Sequence, residues 1–98
     1  MATRTRYLLA YDIRAPRRLR RVHEVAKGYG DPLQYSIFVC DLSGVELVAL
    51  RSDLLEEMNL SQDSVAIFDL GPPASRGIEC IEFIGVRRNL PDGGAIIW

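Results

Sequence analysis

Apolar runs of strand length recur along the chain, and stretches with helical spacing separate them. Arg6 to Ile13 is largely apolar, as expected for a central strand that is covered on at least one face. Similar runs predict four more extended segments, at Asp31 to Tyr35, Ser36 to Leu42, Ser64 to Leu70 and Ile78 to Val86. The chain therefore combines five predicted extended segments with the two helices described next.

Both predicted helices have a defined start. The first begins near Pro16, because proline suits the first turn of a helix, and ends at Gly28 and Gly30. The second begins at Ser43, which forms the Ser-x-x-Glu pattern of a capping box with Glu46. Apolar residues at helical spacing mark the inner faces of the two helices: Leu19, Val22, Ala26 and Tyr29 in the first, and Leu47, Leu50, Leu54 and Met58 in the second.

The order of these elements is β-α-β-β-α-β, followed by one more strand. This order predicts an α+β protein with a ferredoxin-like βαββαβ sandwich and an additional C-terminal strand. We expect a single domain over residues 1–98, with its core at about 5–70 and the C-terminal strand and tail at about 77–98. The apolar tail Ala95 to Trp98 is expected to pair with a sheet edge, such as that of a partner subunit.

Composition narrows the class of protein further. The 98 residues are 48% hydrophobic and 26% charged, the balance of an ordinary globular protein. No apolar run approaches the roughly 20 residues that a membrane helix needs, and no signal region is recognisable, so a cytoplasmic location is expected. Cys40 and Cys80 lie apart, outside any metal-binding spacing, which predicts two reduced, buried thiols.

The two signs of charge are segregated along the chain, although the net charge is only −1. Residues 1–30 contain eight lysines and arginines against two carboxylates, whereas the rest contains four arginines against eleven carboxylates. Four of the basic residues recur at i, i+3, i+4 and i+7, namely Arg14, Arg17, Arg18 and Arg21. Like charges at this spacing repel one another, so the pattern favours a phosphate-binding arginine stripe over a merely solvated face.

Asp12 lies at the end of the first strand, directly before this arginine stripe. It could cap the following helix or pair with Arg14, in which case its role is structural. Alternatively, it could bind Mg²⁺ or Mn²⁺, because these cations prefer carboxylate oxygen and can activate water against a phosphodiester. One carboxylate makes a poor site, but a two-fold homodimer would present Asp12 twice across its axis.

Other enzyme classes find little support in the sequence. The only histidine, His23, is expected to be a partly buried or solvated helix residue rather than a general base. No Ser/His/Asp grouping, phosphate-binding loop or dinucleotide fingerprint is present. The segment Ile37-Phe38-Val39 is too weak for an RNA-recognition motif. Phosphodiester chemistry or nucleic-acid binding therefore remains the main prediction.

Several motifs follow one another over roughly residues 6–70: Tyr11-Asp12-Ile13, an arginine-rich helix, Tyr29-Gly30, Gln34-Tyr35-Ser36-Ile37-Phe38, and Asp63-Ser64-Val65-Ala66-Ile67-Phe68. In this order they resemble the CRISPR-associated endoribonuclease family of the adaptation module (Cas-two). The resemblance implies a ferredoxin-like homodimer whose first-strand aspartates face each other. It also implies cleavage of single-stranded RNA or double-stranded DNA with a divalent metal, and assembly with the Cas-one integrase during spacer capture.

One position departs from the family's pattern. An acid commonly follows the phenylalanine of the second motif, whereas Val39 occupies that place here and Asp41 comes later. Two functional classes stay open at this point. The chain could be an Mg²⁺-dependent endoribonuclease centred on paired Asp12 groups, or a non-catalytic adaptor that binds duplex DNA through Arg14, Arg17, Arg18 and Arg21.

Overall fold

A computed structural model describes residues 3–85 of the chain. Within them, four strands alternate with two long helices and one short helix in the order β1, α1, β2, β3, α2, β4, α3. The bounds are β1 Thr5–Asp12, α1 Pro16–Tyr29, β2 Asp31–Gln34, β3 Ile37–Leu42, α2 Gly44–Glu57, β4 Ser64–Gly71 and α3 Arg76–Glu79. The predicted β-α-β-β-α-β order is confirmed through β4.

The four strands form one antiparallel sheet in the order β2-β3-β1-β4. β1 is central and pairs with β3 on one side, where Leu8 lies opposite Val39, and with β4 on the other, where Asp12 lies opposite Ser64. This arrangement explains the apolar character of β1, because a central strand has neighbours on both edges.

One face of the sheet packs against α1 and α2 and carries the main core. Successive side chains of a strand point to opposite faces, so Leu9 and Tyr11 of β1 point to the helices together with Phe38 of β3. The buried helix residues are those at helical spacing: Val22, Ala26, Leu50 and Leu54. The two middle residues of each predicted inner face are therefore confirmed as buried.

The helix boundaries have identifiable causes. α2 begins with the predicted capping box, in which the backbone N–H of Glu46 donates to Ser43 Oγ at 3.2 Å and the N–H of Ser43 donates to Glu46 Oε1 at 2.8 Å. The Ser43 N–H bond keeps the pKa of Glu46 below its usual range. α1 ends before Gly30, where any side chain would collide with the Val39 carbonyl and the Cys40 sulfur.

Residues 3–85 cover the opposite face of the sheet only in part. Leu33 and Val39 are buried there under Ile81 and Phe83, which follow α3. Arg6 of β1 is also fully buried on this face and forms a two-pronged ion pair with Asp41 at 2.8 and 2.9 Å. The late acid of the second motif thus has a structural partner.

The predicted strand from Ile78 to Val86 is wrong within the described residues. Arg76–Glu79 is a helical turn, and residues 81–85 form no strand. Ile81 and Phe83 instead pack, partly buried, against Leu33 and Val39 on the sheet face. Val86 and the tail Ala95 to Trp98 lie outside the described residues.

The cysteine prediction is confirmed for one thiol. Cys40 is fully buried and free, and burial raises its pKa to about 12. Cys80 is free but only partly buried. Separately, no helix within residues 3–85 is long and apolar enough to cross a membrane.

Candidate functional site

Asp12 lies at the exposed end of β1, on the sheet face away from the helices. Its neighbours in the sequence, Tyr11 in β1 and Ile13 directly after it, are buried in the core. The Asp12 side chain is 62% exposed, and one of its oxygens lies 3.2 Å from the guanidinium of Arg14. Strand alternation therefore turns this carboxylate outward while fixing its backbone in the central strand.

The structure distinguishes between the two structural readings of Asp12. The N-cap of α1 is Ala15, and no side chain caps this helix, so the capping reading is wrong. The ion pair with Arg14 is present, but Arg14 is 66% exposed as well. An exposed pair of this kind contributes little to stability, roughly 0–1 kcal/mol. The Asp12 carboxylate therefore stays accessible to a cation or a substrate.

A single protomer offers a metal ion few ligands at this position. No group of three or more His, Cys, Asp or Glu side chains that could hold a metal exists within residues 3–85. Mg²⁺ is usually bound by one or two carboxylates together with waters and substrate phosphates. The exposed oxygens of Asp12 fit such a site as one ligand group, and a second copy of Asp12 would complete the usual number.

Arg18, predicted to contact nucleic acid, is already engaged within the protein. Its guanidinium donates to both oxygens of Asp63, at 2.7 and 3.1 Å, and also to Gln62 Oε1 at 2.9 Å. These contacts tie α1 to the turn before β4. A guanidinium held in this way has few donors left for a phosphate.

Asp63 connects three segments at this end of the sheet. Its side chain is fully buried and also accepts hydrogen bonds from the backbone N–H groups of Arg14 and Asn59, at 2.8 and 2.9 Å. The Arg18 guanidinium, with help from these two N–H groups, holds the pKa of Asp63 well below its usual range. Sequence reasoning noted Asp63 only as part of a motif and did not predict its contacts. The one local feature that could have pointed to them is the position of an acid just before a strand.

The remaining arginines near Asp12 differ in how free they are. Arg21 lies 3.6 Å from Glu57, whereas Arg17 and Arg20 are exposed and form no ion pair or hydrogen bond with residues 3–85. Sequence reasoning did not single out Arg20, although its spacing of three residues from Arg17 places both on one side of α1. The exposed, unengaged cations of α1 are therefore Arg17 and Arg20.

His23 follows on the same helix and is partly buried. Its Nδ1 lies 2.9 Å from the hydroxyl of Tyr11, and its ring meets Phe38 edge-on at a centroid distance of 5.3 Å. Burial raises the pKa of the Tyr11 hydroxyl. His23 is thus attached to the core on one side, as the sequence suggested.

Comparison with known proteins places these features in a family. The family model of the CRISPR associated protein Cas2, the Cas-two of the resemblance above, matches residues 5–76. The chain belongs to the Cas2 family. The matched range contains every residue of the Asp12 and Asp63 contacts. It also includes the whole segment on which the motif resemblance rested.

Individual Cas2 proteins agree with the family match. The chain is 36% identical over 92 residues to the CRISPR-associated endoribonuclease Cas2 2 of Thermodesulfovibrio yellowstonii, which covers 94% of this chain and 96% of that protein. It is 39% identical over 66 residues to the CRISPR-associated endoribonuclease Cas2 of Geobacter sulfurreducens, covering 67% and 70% of the two chains. Streptococcus pyogenes Cas2 superposes with a TM-score of 0.72 at 27% identity, over 82% of this chain and 99% of that one.

Proposed function

We propose that this chain is a cytoplasmic endoribonuclease of CRISPR adaptation, which cleaves phosphodiester bonds as a homodimer with Asp12 of both protomers. The observation that carries the proposal is the exposed carboxylate of Asp12 at the end of the central strand. The names of the curated Cas2 relatives, which describe endoribonucleases, support the reaction class. The acquisition of new spacers is the process in which we place it.

The part of the sheet that residues 3–85 leave uncovered supports the dimer. Ala10, Asp12, Ser64, Ala66 and Phe68 share the face away from the helices, and we call them the uncovered strip. Phe68 is half exposed, which is a cost for a large aromatic ring unless another surface covers it. In a two-fold interface formed by this strip, each residue occurs twice, so the two Asp12 carboxylates would come together.

Two Asp12 carboxylates would hold Mg²⁺ or Mn²⁺. Both ions prefer carboxylate oxygen, and the exposed Asp12 supplies it. A bound divalent ion would neutralise charge that develops on the phosphodiester during cleavage. Arg14, released from its weak pair with Asp12, would then be free to bind the phosphate through its guanidinium fork.

The experiment is a cleavage assay on labelled single-stranded RNA and duplex DNA with Mg²⁺ or with a chelator. Wild type should cleave only with the metal. Asp12→Asn should lower the cleavage rate by about 100-fold or by a larger factor. Asp69→Asn is the matched control, because Asp69 is another exposed aspartate of the same sheet. Equal rates for wild type and Asp12→Asn would refute the proposal.

The role of the dimer needs its own variant. Phe68→Glu introduces a charge into the uncovered strip without removing a fully buried side chain. We expect a folded monomer by analytical ultracentrifugation, with the cleavage activity lost. A monomer that cleaves as fast as wild type would disprove the paired-aspartate site.

A non-catalytic function is the second candidate. Arg17 and Arg20 are exposed and unengaged within residues 3–85, while Asp12 already has Arg14 as a partner. This charge distribution suits a duplex DNA-binding adaptor that bridges the Cas-one integrase. Tight, salt-dependent duplex binding without cleavage under any metal condition would favour this function over the nuclease.

A further inference from the structure

A cleft of about 330 Å³ opens between the start of α1 and the β2–β3 turn. A second cleft of about 240 Å³ adjoins it and shares His23 and Tyr35 with it. We call the two together the Tyr35 groove. Its first part is lined by Tyr11, Pro16, Leu19, Arg20, His23 and Tyr35, and its second part adds Pro32, Leu33 and Gln34.

The most exposed aromatic ring of the described residues, that of Tyr35, lines both parts of this groove. Tyr35 is 86% exposed, so burial in the core does not account for an aromatic side chain there. Tyr35 lies in the turn between β2 and β3, and the neighbouring Ser36 carbonyl accepts a hydrogen bond from the N–H of Tyr11 at 3.2 Å. The ring is therefore exposed on a backbone that β1 holds in place.

Two further groups in the groove have unused bonding capacity. Arg20 is exposed and has no partner within residues 3–85. The Nδ1 atom of His23 is occupied by the Tyr11 hydroxyl, which leaves Nε2 without a hydrogen-bond partner among the described residues. The groove thus combines an aromatic face, a free cation and a positioned imidazole nitrogen.

We propose that the Tyr35 groove binds one unpaired nucleotide of a single-stranded nucleic acid. The base stacks on the ring of Tyr35, the phosphate pairs with Arg20, and Nε2 of His23 forms a hydrogen bond with the base or sugar. A volume of about 330 Å³ is at the lower end of small-ligand pockets, which suits one nucleotide rather than several. A base inside a duplex is already stacked on its neighbours and cannot enter.

This inference extends the proposed function. It rests on that function only for the class of ligand, a nucleic acid. Tyr11 and Asp12 are adjacent in β1 but point to opposite faces of the sheet. A strand anchored in the groove would pass the end of β1 to reach Asp12. The groove would in this way select single strands and position them before cleavage.

The experiment measures binding without cleavage, in a chelator, with a labelled ten-nucleotide RNA and with the matched RNA duplex. Because His23 is the only histidine, its ring protons give unambiguous NMR signals. We expect these signals to shift and saturate with the single strand. Tyr35→Ser should weaken single-strand binding by about 10-fold by fluorescence anisotropy and leave duplex binding unchanged, because a duplex offers no unpaired base to the ring. Arg20→Gln should also weaken single-strand binding by about 10-fold.

Matched control variants lie in a separate cleft, lined by residues of α2 and of β4, the edge strand farthest from β2. Leu60→Ser removes another highly exposed apolar side chain, and Arg51→Gln removes another exposed arginine. Both should bind the single strand as wild type does. If Leu60→Ser and Arg51→Gln weaken binding as much as the groove variants, the effect is not local and the inference is wrong.

The outcomes separate this inference from the nuclease proposal. Single-strand binding that leaves the His23 signals and the groove variants unaffected would overturn the groove while the nuclease proposal survives. Binding that depends on Tyr35 and Arg20, in a protein that cleaves nothing with any metal, would support the groove and overturn the nuclease. No single-strand binding at all would overturn the groove.

Discussion

Asp12 and Asp63 lie at the same end of the sheet, and each pairs with an arginine near the start of α1, Asp12 with Arg14 just before the helix and Asp63 with Arg18 in its first turn. The Asp12 side chain is 62% exposed, and its ion pair among residues 3–85 is with Arg14 at 3.2 Å. The Asp63 side chain is fully buried and accepts from the Arg18 guanidinium and from two backbone N–H groups. The two aspartate–arginine pairs thus lie in opposite environments, although their arginines are only four residues apart in the sequence.

The difference separates folding from function. A buried carboxylate with several donors is costly to disturb, because removing one partner leaves a buried charge unpaired. An exposed pair with one contact stabilises the fold little and keeps its oxygens available. Asp63 and Arg18 therefore hold α1 against the turn before β4, and Asp12 and Arg14 remain for chemistry.

The largest expected effect is that of Asp63→Asn on stability. The amide cannot replace the carboxylate as partner of Arg18, so we expect the thermal midpoint to fall by roughly 10 °C. Asp12→Asn should stay within about 2 °C of wild type in the same calorimetric scan. Equal shifts for the two variants would contradict the contrast between the two sites.

The next effect is on the acid dependence of folding. The pKa of Asp63 is lowered in the folded protein, so its stabilising contribution is present above the unfolded value of about 3.9 and is lost as the pH falls through the folded value. Asp63→Asn should therefore reduce proton uptake on unfolding below about pH 4 by up to about one proton.

Urea unfolding between pH 2.5 and pH 7 measures this change. Glu46 should retain its own acid-dependent contribution in the variant, because its pKa is lowered by a different group, the Ser43 N–H. Arg18→Gln should reduce the Asp63 contribution as well, since Arg18 is the main cause of the lowered pKa. An unaltered acid profile in both variants would show that the buried pair does not form.

A smaller effect distinguishes Arg17 from Arg18, which are neighbours in the sequence. Arg17→Gln should lower the salt slope of nucleic-acid binding by about 0.7–0.9 and leave the thermal midpoint unchanged, because Arg17 is exposed and unengaged within residues 3–85. Arg18→Gln should leave the salt slope unchanged and lower the thermal midpoint. Binding titrations at several salt concentrations decide this, and a lowered slope in Arg18→Gln alone would refute the assignment.

The smallest effect is that of Arg14→Gln on stability. The side chain is mostly exposed, and the backbone N–H that donates to Asp63 is retained in the variant. We expect a thermal midpoint within about 2 °C of wild type, measured alongside Asp63→Asn. A fall comparable to that of Asp63→Asn would mean that the Asp12–Arg14 pair is structural.

Sequence reasoning succeeded where a single local pattern decides the structure. The capping box of Ser43 and Glu46 and the helical spacing of Val22 and Ala26 depend on neighbours a few residues away, and both are confirmed. It failed for the described part of Ile78 to Val86, where alternation of apolar and polar residues was interpreted as a strand. Ile81 and Phe83 instead pack, partly buried, against the face of the sheet.

The arginine stripe shows the same limit at the candidate site. Helical spacing placed Arg17 and Arg18 in one set, but spacing carries no information about Asp63, which is 45 residues further along the chain. Only the fold brings that carboxylate to Arg18 and leaves Arg17 free. The groove around Tyr35 and His23 was missed for a related reason, since it lies between a helix and a turn that are separate in the sequence.

The sequence by itself determined the order of strands and helices through β4, the residues that face the core and, through its motifs, the family. The element order and the core residues follow from periodicity and capping, which act over a few residues. The tertiary structure decided which arginines are engaged, which face of the sheet stays uncovered and where the groove opens. Those properties depend on contacts between residues far apart in the chain, which a local pattern cannot specify.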